Sequence, residues 1–171
     1  KVAKYSLDDE MLRPYFELQS VIDGVFGLAT SLYGLKFTER TDLPKDHSDI
    51  KSYQGYDADG TFLSVLYTDF FPRSNKEGGA WMTEFRGQEI KDGVDVRPIV
   101  SLVMNFTKPT EEQPSLLTFG EVTTFLHEFG HALHGMLSKC RYGSLSGTNV
   151  MRDFVELPSQ LMENWAYQKE W

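Results

Sequence analysis

His127-Glu128-Phe129-Gly130-His131 is an H-E-x-x-H stretch set inside a helical pattern. Histidines four positions apart project from one helix face, one turn above the other, so both imidazoles can reach a single ion. Zinc takes imidazole nitrogen at about 2.0–2.1 Å and keeps an open coordination position where it is catalytic. Glu128 follows the first histidine directly, which sets its carboxylate beside such a site, within reach of a proton on a water there. The plain alternative is a helix with two histidines on a half-buried face. Against it, random placement of four histidines in 171 residues gives this pattern in roughly 1% of chains or fewer. The motif points to metal-assisted hydrolysis of a peptide bond, with Glu128 as the base.

The flanking residues supply a real helix. Thr118 and Glu121 form a T-x-x-E capping box ahead of the apolar run Val122, Phe125, Leu126, Phe129, Leu133, Met136 and Leu137. Gly130 costs such a helix about 1 kcal/mol against alanine. Close approach of a neighbouring element at Gly130 is the expectation.

A third ligand is needed. His134 shares the face of the other two, but it lies about 10 Å along the axis from His127 at 1.5 Å per residue. It reads instead as a hydrogen-bonded or pocket-lining histidine. The extended pattern with a third histidine six residues after His131 is absent, because position 134 is His rather than Gly and position 137 is Leu. The carboxylates that follow are Asp153, Glu156, Glu163 and Glu170. A second helix is predicted over residues 150–169, with Asn149 as N-cap and Phe154, Leu157, Leu161 and Trp165 on its apolar face. Pro158 is predicted to kink it and to aim Glu156 at the first helix. Glu163 lies two turns further along the same face, and Glu170 falls in solvent near the chain end. Spacing alone favours Glu156 only modestly over Asp153.

Two separated motifs carry a resemblance. His127-Glu128-Phe129-Gly130-His131-Ala132-Leu133-His134-Gly135, followed by Ser146-Gly147-Thr148-Asn149-Val150 and by Asp153-Phe154-Val155-Glu156-Leu157-Pro158-Ser159-Gln160, resembles the thimet oligopeptidase family. The stretch after His131 is most similar to the bacterial peptidyl-dipeptidase (dipeptidyl carboxypeptidase) branch. Asp69-Phe70-Phe71-Pro72-Arg73, Lys76 and Gly78-Gly79-Ala80 also look like the family. The resemblance implies one zinc ion held by His127, His131 and Glu156, with Glu128 as catalytic base. It implies cleavage of short peptides, with release of C-terminal dipeptides; an endo-acting oligopeptidase is the alternative. Members of the family are several times longer than this chain, and their later segments position substrate and stabilise the oxyanion. Residues 1–171 therefore read as a single catalytic-core piece of a larger enzyme. A zinc-binding fragment without independent activity is the other reading.

Composition narrows the partners. Hydrophobic residues at 40% and charged residues at 25% are ordinary for one ordered domain. A net charge of −8 without a basic stripe argues against nucleic acid. No apolar run approaches the ~18 residues of a membrane span. The lone Cys140 has no internal disulfide partner and fits a reducing, cytoplasmic setting, with a periplasmic one left open. Oligomeric state is open.

Upstream, Leu18, Val21, Ile22, Val25, Phe26, Ala29 and Leu32 predict a helix stopped by Gly34, with Gly24 and Gly27 suited to close packing. Strand character follows: a short strand at Phe37, residues 51–56 pairing with 61–71 across Asp57-Ala58-Asp59-Gly60, then 80–86 and 99–106. Asp57 and Asp59 read as turn formers because the rest of a calcium loop is missing. Phe62, Tyr67, Phe70, Phe71 and Trp81 are expected mostly in the core. Arg73 and Lys76 read as a solvated loop or salt bridge rather than a phosphate patch, and residues 143–148 as a connector or cleft-flanking loop. The expected fold is α+β and zincin-like: a small antiparallel or mixed sheet beside the H-E-x-x-H helix and a second metal-ligand helix. Residues 79–81 are the expected sheet edge for an extended peptide.

Overall fold

The computed structural model describes residues 8–169. Glu170, weighed above as a ligand, lies outside them. Helix α1 (Leu18–Tyr33) ends at Gly34, whose φ of 74° and N–H bond to Thr30 O close the helix. Strands β1 (Lys36–Arg40), β2 (Lys51–Tyr56), β3 (Phe62–Asp69), β4 (Trp81–Arg86) and β7 (Ile99–Val103) form one sheet in the order β1-β2-β3-β7-β4. Only β3 and β7 run parallel, so the sheet is mixed. The turn between β2 and β3 forms as expected: Asp59 Oδ1 accepts from Thr61 N–H at 2.8 Å, and Gly60 takes positive φ.

A two-stranded hairpin, β5 (Glu89–Lys91) with β6 (Val94–Val96), lies apart from this sheet. The sequence reading missed it. Its signal was Asp92-Gly93, both at positive φ as a two-residue hairpin turn requires. The sheet edge also needs correction. β4 is an edge strand, but it begins at Trp81, with Gly79 and Ala80 leading into it.

Helix α2 (Phe119–Met136) crosses the sheet against β7, β4 and β3. Its capping box is complete: Thr118 Oγ1 accepts from Glu121 N–H at 3.1 Å, and Glu121 Oε2 accepts from Thr118 N–H at 2.7 Å. Phe125, Phe129, Val122 and Leu126 are fully buried. Phe129 meets Phe26 and Phe37, while Phe125 meets Phe70 and Phe106, so aromatic pairs join α1, the sheet and α2. Of the upstream aromatics expected in the core, Phe70 is buried and Phe71 packs against it, but Phe62, Tyr67 and Trp81 are half-buried. Strand alternation puts Tyr67 on the face opposite Leu66, away from α2, where it meets exposed Phe85.

The second helix starts later than predicted. α3 spans Glu156–Glu163 and runs into a 3-10 turn at Asn164–Tyr167. Pro158 therefore stands in the first turn, where its missing N–H removes no intrahelical bond, and it produces no kink. The buried face is also displaced. Ser159 and Met162 point inward, while Phe154, Leu157 and Leu161 are exposed. Gly130 explains the phase. A Cβ there would lie 2.6 Å from both Pro158 O and Ser159 Cα, so α3 presents its small serine to a glycine in α2. The close approach expected at Gly130 is present, whereas a Cβ on Gly27 would meet open space.

Residues 143–148 are a held connector. Buried Gln88 accepts from Cys140 N–H at 2.7 Å and from Ser146 Oγ at 3.2 Å. Arg73 and Lys76 both pair with Asp69, the salt bridge anticipated from the sequence. Among the described residues, no helix is long and apolar enough to cross a membrane.

Candidate metal centre

α2 and α3 meet where the two motifs face each other. His127 and His131 project from one face of α2, their rings 4.9 Å apart, and Glu156 faces them from the first residue of α3. Glu156 Oε2 lies 3.2 Å from His127 Nε2 and 3.1 Å from His131 Nε2. Two ligands at about 2.05 Å from a tetrahedral ion stand about 3.3 Å apart. The two imidazoles and the carboxylate are thus spaced as ligands of one small ion. Two nitrogens and one oxygen are also a donor set zinc accepts with a position left open. The fit is good.

The electrostatics agree with that use. Burial pushes the His131 pKa down, against the pull of Glu156, and so favours the neutral imidazole that binds metal. Glu156 is held below the usual carboxylate range, first by the Ser159 hydroxyl, which donates to Oε2 at 2.8 Å, and then by the two histidines. The serine that lets α3 approach Gly130 therefore also steadies the candidate ligand.

Glu128 is 7% exposed. Burial pushes its pKa up, with Glu156 adding to the rise, while His127 and the Met82 N–H oppose it. A carboxylate made more basic in this way is suited to take a proton. It lines a cleft of about 880 Å³ together with His127, Glu163, Ala80, Thr118 and Tyr167.

The remaining sequence candidates fall outside the cluster. Asp153 is exposed in the turn before α3 and is not among the converging groups. His134 packs against Phe154, its ring 6.2 Å away, and burial lowers its pKa. Its Nδ1 is buried without a hydrogen-bond partner among the described residues. Glu163 does not join the three ligand atoms; its Oε1 lies 2.6 Å from His127 Nδ1. Spacing had suggested Glu163 only as a rival ligand. Its place on the same face as Glu156, two turns on, marked it only as a carboxylate near the site.

A model of peptidase family M3 matches residues 1–171. Dipeptidyl carboxypeptidase of Salmonella typhimurium is 47% identical over 164 residues, covering 95% of this chain and 24% of that protein. Oligopeptidase A of Escherichia coli is 42% identical over 168 residues, covering 97% and 25%. A thimet-like oligopeptidase of Dictyostelium discoideum is 42% identical over 172 residues, covering 99% and 26%. The chain spans about a quarter of the length of these relatives. With the family model matched from end to end and such identities across nearly all its residues, the chain belongs to peptidase family M3.

Proposed function

We propose that this chain is the catalytic core of a zinc peptidase with a zincin-like arrangement, acting on short peptides within a longer protein. The carrying observation is the convergence of one donor atom each from His127, His131 and Glu156 within 4.8 Å of one another. In this reading those three residues hold zinc, and Glu128 is the base. When bound, zinc supplies Lewis acidity, polarising a carbonyl oxygen and lowering the pKa of water toward about 7.

The protein's own residues do the rest. Glu128 accepts a proton from the attacking water and passes it to the leaving amine nitrogen, a transfer for which its raised basicity suits it. Its burial keeps bulk water from competing for that proton. Ala80, beside Glu128 in the cleft, leads into β4, whose open edge offers main-chain groups to an extended peptide. Release of C-terminal dipeptides is the preferred specificity, supported by 47% identity to a dipeptidyl carboxypeptidase against 42% to oligopeptidase A.

The test is Glu128→Gln in the full-length, zinc-loaded protein. The variant retains stoichiometric zinc and loses most peptide turnover, because only the base is removed. Substantial turnover in that variant would take Glu128 out of its role.

A further inference from the structure

The backbone of the open sheet edge has a definite parity. Met104 N–H donates across β7 to Asp69 O of β3 at 2.8 Å, so the main-chain groups of Leu102 and Met104 face β3. Alternation turns those of Ser101 and Val103 toward β4, where they meet Thr83 and Trp81. The main-chain groups of Met82 therefore face away from β7, toward the open edge.

One step before β4 the ladder loses its backbone partner, and Asn105 takes over. Its Nδ2 donates to Gly79 O at 2.8 Å and to Glu77 O at 2.9 Å. The peptide between Gly79 and Ala80 is trans and planar, so a Gly79 carbonyl turned inward to Asn105 turns the Ala80 N–H outward. Gly79 sits at φ 92°, a conformation that side-chain-bearing residues rarely adopt. The loop before it is pinned separately by Lys76 Nζ, which donates to Phe71 O at 2.9 Å and Asp69 O at 3.0 Å.

We propose that Asn105 is a positioning residue for the substrate main chain. By fixing the Gly79 carbonyl inward, it holds the Ala80 N–H at the open edge, in line with the outward groups of Met82. The pair presents one register to an extended peptide backbone beside Glu128. Asn105 touches neither metal ligands nor base; it acts on binding through Gly79 and Ala80. The proposal rests on the peptidase reading above.

The test uses the full-length, zinc-loaded protein with Asn105→Asp and Asn105→Ala. Aspartate keeps the size and turns acceptor oxygens toward the two carbonyls, while alanine removes the donors without adding charge. Asn105→Asp raises KM for a peptide about tenfold with kcat within about twofold, the signature of lost uniform binding. Asn105→Ala shifts KM the same way by less, and zinc content stays at the wild-type level in both. An unchanged KM, or kcat and zinc content falling together, overturns the proposal. The half-buried side chain leaves Asn105→Ala able to fold, so that variant carries the test if the charged one does not. A wild-type protein that cleaves no peptide refutes the peptidase reading; cleavage by wild type with unmoved KM in the variants refutes only the role of Asn105.

Discussion

Glu163 Oε1 lies 2.6 Å from Nδ1 of His127, on the side of the ring opposite Glu156. A carboxylate there favours the proton on Nδ1 and leaves the Nε2 lone pair directed at the cluster. His131 has no such support: its Nδ1 is buried without a partner among the described residues. The two histidines are thus oriented by different means, one by a carboxylate and the other by packing.

Glu163→Ala consequently weakens zinc affinity, by about 10- to 100-fold on the pattern of residues that orient metal-binding histidines. Competition with a chromogenic chelator measures it. Wild-type affinity in the variant would leave the 2.6 Å contact without a role in metal binding.

Gly130→Ala tests the helix contact that brings the two motifs together. In an unencumbered helix this change stabilises by about 1 kcal/mol. Here the new methyl meets Pro158 O and Ser159 Cα, both backbone atoms that cannot swing aside. The expected result is the opposite sign, a loss of about 1–3 kcal/mol in denaturant unfolding. Zinc affinity falls with it, because α3 carries Glu156 and Glu163 away from α2. A stabilised variant would contradict the contact.

Asp69 governs an acid-sensitive part of the stability. Burial pushes its pKa up, but the bidentate Arg73 at 2.7 and 2.8 Å and Lys76 at 2.9 Å outweigh burial and hold it below the usual value. A lowered folded pKa contributes stability that is fully present above the unfolded value, about 3.9, and is lost as pH falls through the folded one. Asp69→Asn removes that pH dependence. It also costs about 3 kcal/mol at neutral pH, because Lys76 is left buried without its counter-charge. Lys76→Met costs less, since Asp69 keeps Arg73. Urea unfolding between pH 3 and pH 7 measures both variants; a parallel pH profile for wild type and Asp69→Asn would refute the assignment.

Local rules made much of this chain legible. Thr118 and Glu121 announced the start of α2 because a capping box is a contact between near neighbours. The strands around Asp57–Gly60 followed from turn chemistry of the same short range. The second helix misled because its phase is decided by a distant residue. Phe154, Leu157 and Leu161 have helical spacing, yet the Gly130 contact turns Ser159 and Met162 inward instead. Glu163 was visible as a carboxylate near the site, but its partner atom on the back of His127 depends on the packing of α3 against α2. The hairpin at Asp92-Gly93 was a local signal overlooked, since strands of three residues leave almost no periodicity to read.

The central claim is that His127, His131 and Glu156 hold one zinc ion. Anomalous diffraction collected on both sides of the zinc absorption edge, from crystals soaked in zinc, tests it most directly. The account predicts a single strong peak between His127 Nε2, His131 Nε2 and the Glu156 carboxylate, with Glu163 remaining on His127 Nδ1. A peak coordinated through His134 or Glu163, or none within reach of Glu156, would contradict it.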